Sequence, residues 1–304
     1  MSRRGWALFG AVSVLWGVPY LFISLALEGL GAVSVVAVRV LLGALVLLPL
    51  TLRRGLPRTL RAHLPRLAVL ALVEVVAPFT LIAVGELSVS SGLTGVLIAT
   101  EPLFVLLIGL VWKGSDRITS GAWAGVAAGF LGVITLFGVG GGGPGMPLII
   151  AAAACYGLGA LLVRRWFAGV PGIVVTTAML LLATPPLLAL AAVTDPAPQL
   201  TTQVLIAVLV LGVVCTAGGF TAFFALISAA GPVRASFITY VAPLVAVAAG
   251  VLVQGEPVTF RMVAGTVLVL LGASLAVRTP APPAPDTHGP QPAIGSEPGR
   301  EARA

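Results

Sequence analysis

Full charge is scarce in this 304-residue chain, with Asp, Glu, Lys and Arg together making up 9% of it. Soluble domains carry roughly a quarter, so a water-soluble fold would have too few charged groups to cover its surface. Histidine occurs twice, at His63 and His288, and cysteine twice, at Cys155 and Cys215. Both cysteines lie inside apolar runs, which argues against a disulfide framework, and neither histidine has the companions that a metal site needs. No metal and no other cofactor is expected.

What fills the space is hydrocarbon. Hydrophobic residues make up 59% of the chain and the mean hydropathy is +1.12, the composition of an all-α polytopic membrane protein. A spanning helix takes about 20 mostly apolar residues, and ten such runs can be placed, at residues 6–26, 31–50, 65–85, 91–112, 121–139, 146–163, 172–193, 204–228, 235–253 and 259–277. The first, behind Arg3 and Arg4, is longer than a signal-peptide core and reads as a retained helix. His63 falls in a basic loop ahead of the third run. Residues 279–304 are Pro-rich, bury little and read as a disordered tail.

Cation placement sets the orientation. Counting from Arg3 and Arg4 inside, alternate connections hold Arg53, Arg54, Arg58, Arg61 and Arg66, then Lys113 and Arg117, Arg164 and Arg165, Arg234, and Arg278. The intervening connections, around Glu28, Glu86, residues 140–143 and Asp195, hold none, with Arg261 the single exception. Both termini are therefore expected in the cytoplasm. The net charge of +7 is accounted for as a topology signal facing anionic lipid, and nucleic acid is not an expected partner.

The chain also repeats itself. Pro243 follows Pro102 by 141 residues, Trp16-Gly17 is answered by Tyr156-Gly157, and Phe79-Thr80 by Phe220-Thr221. Lys113-Gly114-Ser115 is echoed by Gln254-Gly255-Glu256. Ten spans in two similar halves give five per half, and an odd number forces the second half into the membrane upside down. The expected architecture is two inverted five-helix repeats, residues 1–138 and 146–278, joined by a Gly-rich outer linker at 139–145. Sites in proteins so built lie near the midplane between the halves.

Three full charges fall within these runs: Arg39, Glu74 and Glu101. Each is nine or ten residues from a span end, roughly 13–16 Å deep at 1.5 Å per residue. Charges at that depth are costly in lipid, so the three are expected to face the protein interior and one another. One cation cannot neutralise two carboxylates; either one carboxyl holds a proton or a cationic solute supplies the missing charge. A structural Arg–Glu pair is the plainer alternative. Glu28 and Glu86, near the outer boundary, read as solvated helix ends.

Trp16 and Tyr20, four residues apart, share a helix face; with Tyr156 and Tyr240 they sit too deep for an interfacial belt and are pocket candidates, with core packing the alternative. Phe220, Phe223 and Phe224 read as core or lipid-facing. Pro19, Pro78, Pro102 and Pro243 are candidate kinks that free carbonyls to line a cavity, and Pro185-Pro186 either breaks the seventh run or marks its end. Gly121, Gly125 and Gly129, with Ala264, Gly265 and Gly272, form small-residue ridges suited to close helix packing, a homodimer contact included.

Several motifs resemble the EamA family of the drug/metabolite transporter superfamily: Leu15-Trp16-Gly17, the RVLLGALVLL run from Arg39, EPLFVLLIGLVW from Glu101, and APLVAVAAGVLVQGE before the last span. The resemblance covers residues 6–278 and implies ten spans in two repeats. It also implies transport of amino acids, metabolites, drugs or dyes. Gly255-Glu256 resembles that family's turn before the last helix, whereas the first repeat departs from it with Gly114-Ser115-Asp116. The expectation is a secondary transporter in the cytoplasmic membrane, exporting a small amphipathic solute by alternating access. Protons are a candidate coupling ion, and Trp16, Tyr20, Arg39, Glu74, Glu101, Tyr156 and Tyr240 the solute-binding candidates. An intramembrane enzyme on a lipid-linked substrate and a non-transporting scaffold are the rivals; the first lacks an intramembrane histidine, and the second gives mid-membrane charge no task.

Overall fold

The computed structural model describes residues 1–113, 120–137 and 143–277; the connection at 114–119, the glycines at 140–142 and the tail lie outside them. The described residues form ten helical spans and no strand. They are α1 (Arg3–Leu27), α2 (Ala32–Leu52), α3 (Leu56–Gly85), α4 (Ser91–Trp112), α5 (Ser120–Leu136), α6 (Met146–Trp166), α7 (Gly172–Thr194), α8 (Thr202–Ala230), α9 (Arg234–Gln254) and α10 (Phe260–Val277). Eight are long and apolar enough to cross a membrane by themselves; the apolar parts of α5 and α10 are shorter.

One boundary departs from expectation. Helix α3 starts at Leu56, nine residues before the expected 65, because the basic segment is helical too. Gly55, at φ 93°, turns the chain into it, and Leu56 is buried beside Leu67 and Leu70. His63 is thus a helical residue at a kink (φ −131°, ψ 19°), its ring edge-on to Phe167 at 5.6 Å, and no loop histidine.

The packing follows from the repeat. Helix α2 packs on α7, α4 on α9 and α5 on α10, each against its own repeat mate, while α3 on α6 mirrors α8 on α1. A twofold axis between inverted halves produces this pairing, since elements near the axis meet their own images. At the α5–α10 contact the glycine ridges face each other within one chain. A Cβ on Gly132 would sit 2.7 Å from the Val269 nitrogen, and one on Gly272 2.6 Å from the Gly125 carbonyl oxygen. The small-residue face that had suggested a homodimer is therefore occupied internally.

Five spans are interrupted. Helix α1 breaks at Val18, just before Pro19, and α4 breaks at residues 99–100, so that Pro102 is the second residue of the helix restarting at Glu101. Helix α3 widens into a π turn at Leu72–Val76, ahead of Pro78, which has no N–H to give the Glu74 carbonyl. Helix α8 widens at the equivalent place, Val210–Gly218, where no proline stands. There Thr216 donates its hydroxyl to the Leu211 carbonyl (2.8 Å), satisfying an acceptor in the loosened turn. Helix α9 turns at Phe237, not at Pro243, which lies inside the continuous segment Ile238–Gln254. Pro243 is thus no break, despite its match to Pro102. Helix α7 likewise runs through Pro185 and Pro186.

Candidate functional site

The breaks in α1, α3, α4 and α8 surround a cavity of about 400 Å³ between the two repeats. A regular helix hides its carbonyls and aims side chains at fixed intervals; π turns and breaks shift that register and let several helices aim polar groups at one space. Trp16, Tyr20, Arg39, Glu74, Glu101 and Tyr156 all line this cavity, as does Pro19. Tyr240 does not; it lies on α9 beside Phe237, ring centroids 6.0 Å apart.

The three charges meet the same space without meeting one another. Among the described residues no ion pair joins Arg39 to Glu74 or Glu101, which overturns the expected Arg–Glu contact. Arg39 instead donates Nε–H to the Thr216 hydroxyl (2.9 Å), and its guanidinium carbon stands 4.2 Å from the centre of the Phe79 ring. The hydrogen bond fixes one edge of the guanidinium plane and the ring covers one face. That leaves its two terminal nitrogens, with four N–H donors in a fixed fork, for a ligand.

Glu74 is carried on the π turn of α3, and its carboxylate presses against Gly159 of α6 so closely that any Cβ there would overlap it. Glu101 opens the second segment of α4 as its first helical residue, where a carboxylate also meets the positive end of the helix dipole. Neither carboxylate has a hydrogen-bond donor among the described residues. In a low-dielectric setting such groups are satisfied by water, a proton or a solute.

Aromatic rings build the apolar wall. Trp16 meets Phe220 edge-on at 5.7 Å and Phe223 at 4.6 Å, Phe220 stacks on Phe224 at 6.5 Å, and Phe79 meets Tyr156 edge-on at 6.4 Å. Phe220, Phe223 and Phe224, read from sequence as core or lipid-facing, thus line the cavity with Met179, Thr176 and Cys215. A signal for them existed. Carrying first-repeat lining residues forward by 141 residues turns Glu74 into Cys215, Phe79 into Phe220 and Ile82 into Phe223, and all six line the space.

The lining is not symmetric along the helices. It reaches Gly172, Val175 and Thr176 at the start of α7, but not the equivalent start of α2. There the halves are joined: the Ser34 N–H donates to Asp195 (2.6 Å), the Gln199 N–H to the Gly29 carbonyl (2.7 Å) and the Gln203 amide to Glu28 (2.9 Å). At the same end Glu256 accepts from the N–H and hydroxyl of Ser91 (2.8 and 2.7 Å) and from the Gly92 N–H (3.0 Å). Gln254 donates to Ser24 (2.8 Å). These bonds gather at the ends bearing the cation-poor connections.

Glu28 is exposed, in keeping with a solvated end, but Glu86 is not. It is 8% exposed, and neither carboxylate oxygen has a hydrogen-bond partner among the described residues. Glu86 is the C-cap of α3, and the chain reverses immediately into α4, which folds the carboxylate under the closed end.

Known proteins give the chain its context. The model of the EamA-like transporter family matches residues 4–138 and again 143–278. An uncharacterized transporter of Archaeoglobus fulgidus is 25% identical over 283 residues, covering 90% of this chain and 99% of its own. The uncharacterized transporter YvbV of Bacillus subtilis is 24% identical over 279 residues, 88% of this chain and 90% of its own. The uncharacterized inner membrane transporter YedA of Escherichia coli is 30% identical over 133 residues, 42% of this chain and 43% of its own. A crystal structure with 21% sequence identity shares the fold at a TM-score of 0.65, covering 89% of this chain and 95% of that one.

Proposed function

The chain belongs to the EamA-like transporter family and is a multi-pass membrane transporter, not an enzyme; from that premise we propose that it exports a small amphipathic solute by alternating access. The observation that carries this reading is the cavity between the repeats, where a cation and two carboxylates stand unpaired against an aromatic wall. A site built only for structural cohesion would pair those charges. Here the free fork of Arg39 suits a carboxylate, and the ring cluster of Trp16, Phe220 and Phe223 suits an apolar body. Glu74 and Glu101 suit an ammonium group, or a proton that one of them exchanges for solute.

Direction is argued from topology. With the arginine-rich connections in the cytoplasm, both termini lie inside and the start of α7, where the cavity extends, faces the cytoplasm. The hydrogen-bonded end then faces out. Such a conformation takes solute from inside, as an exporter does at the start of its cycle. In this reading residues 1–138 and 146–278 are the two repeats, and rocking one against the other breaks the outer bonds while closing the cavity around the start of α7.

The test begins with thermal-shift measurements on the purified protein against a panel of aromatic and aliphatic zwitterions. At least one should raise the melting temperature, and Glu74→Gln and Glu101→Gln should reduce that response while remaining folded. Proteoliposome flux of that solute, with and without a pH gradient, then follows. A response unchanged in both variants would remove these residues from the site, and flux indifferent to the gradient would remove proton coupling.

A further inference from the structure

We propose that Glu86 is a proton-binding site that governs the closure of the outer end, through the carboxylate of Glu256 that holds that closure together. Glu256 comes from the turn between α9 and α10 and caps the first turn of α4 in the other repeat, accepting from Ser91 and Gly92. A carboxylate at a helix start satisfies orphan N–H groups and meets the positive end of the dipole, so this contact joins the Asp195, Gln199, Gln203 and Gln254 bonds in latching the two halves. Glu86 lies five residues before Ser91, buried, with both carboxylate oxygens unpartnered among the described residues.

The polar groups bearing on Glu86 are Tyr20 from α1, Arg39 from α2, Thr94 from α4, and Glu256, while the start of α6 meets this end of α3 with Gly145 and Ile149. Thr94 directs its hydroxyl to the Ser90 carbonyl (3.0 Å), and turned instead toward Glu86 it would favour the ionised carboxyl, as Arg39 does. Burial pushes the Glu86 carboxyl well above the usual carboxylate range, the negative charge of Glu256 adds to that, and Arg39 opposes it. The balance favours a neutral Glu86 whenever the outer end is closed.

The consequence has a definite sign. The closed form holds a proton on Glu86 that the open, hydrated form releases, so closure is complete at pH below the ordinary carboxylate value. It weakens as the pH rises past it. Loss of that proton leaves a buried negative charge that repels the half-buried carboxylate of Glu256, and separating the two relieves the repulsion. No co-reactant is needed; the proton leaves to bulk water. Its use as a transport step rests on the alternating-access reading, but the device itself can be read without any solute.

The experiment follows amide hydrogen exchange over residues 88–95 in the full-length purified protein, without solute, from about pH 5 to about pH 8 and corrected for intrinsic exchange. In the wild type the Ser91 and Gly92 amides should lose protection by about tenfold as the pH rises. Glu86→Gln should keep them protected throughout. Glu256→Gln, which keeps an acceptor but not the charge, should flatten the same pH dependence, and it decides the matter if the first variant does not fold. Protection that does not change with pH in the wild type, or variants that follow the wild-type curve, would overturn the proposal. Absence of flux with this pH response intact would instead count against transport alone.

Discussion

The two repeats share a backbone and differ in chemistry. Both widen the third of their five helices into a π turn at equivalent positions, Leu72–Val76 and Val210–Gly218. Both send equivalent side chains into one cavity. Yet the first repeat supplies Arg39, Glu74 and Glu101, where an offset of 141 residues puts Leu180, Cys215 and Ala242 in the second. Duplication provides the scaffold for the cavity between the repeats, and divergence of one copy gives that cavity a polar side. In the proposed function, a solute bound there would meet charge on one flank and Phe220, Phe223 and Met179 on the other, which would orient it.

The strongest way to break that comparison is to move a charge to its mate. In Glu74→Cys, solute-induced stabilisation should fall by more than about tenfold in apparent affinity, the scale of one lost charge-assisted contact. Adding Cys215→Glu should not restore it. Gly159 leaves room for the Glu74 carboxylate, whereas the residue equivalent to Gly159 is Val18 or Pro19, both of which carry side chains. Recovery of the thermal shift in the double variant would mean that symmetry, and not this local fit, sets the site.

Gly159 itself offers the next test. Gly159→Val adds bulk where Glu74 already sits, and overpacking typically costs about 1–3 kcal/mol. A lower melting temperature is expected, together with weaker solute response. Gly265→Val, between Leu136 and the Gly132 carbonyl at the α5–α10 contact, should lower the melting temperature without changing the apparent solute affinity of the folded fraction. Equal effects of the two on affinity would erase the distinction between site and scaffold.

Smaller again is Arg39→Lys. The charge remains, but the Nε bond to Thr216 and the planar face over Phe79 are lost, together about 2 kcal/mol. Solute affinity should drop although net charge does not change. Thr216→Val should reproduce part of that loss, by about 1 kcal/mol in binding, while Thr221→Val, whose hydroxyl only bonds back to Ala217, should not. Isothermal titration with the solute identified by thermal shift checks both.

Much of this was legible in the residues. Ten apolar runs, a 141-residue echo and cations in alternate connections dictate helices, inverted halves and an interior for Arg39, Glu74 and Glu101. The partners of those charges were less accessible. Charge counting pairs Arg39 with a carboxylate, but Thr216 and Phe79 come from helices whose π turns shift the side-chain register. Pro243 was misjudged because sequence equivalence was taken for structural equivalence: α9 turns at Phe237, α4 at residues 99–100; Tyr240 was picked for its depth in the span, and depth does not say which way a side chain faces. Glu86 was misjudged because nearness to a span end was taken for exposure, whereas at the reversal from α3 into α4 it is buried.

By itself, the amino-acid order determined what hydropathy and spacing control: a membrane-embedded, all-helical chain of two related halves, with three charges too deep to face lipid. Those features depend on the free energy of placing side chains in hydrocarbon, which each segment feels largely on its own. Only the tertiary structure decided which groups those charges meet, which end of the cavity is latched and that Glu86 is buried. Those outcomes depend on distances between helices remote in sequence, and a π turn or a one-residue shift in a break changes them while leaving the hydropathy pattern untouched.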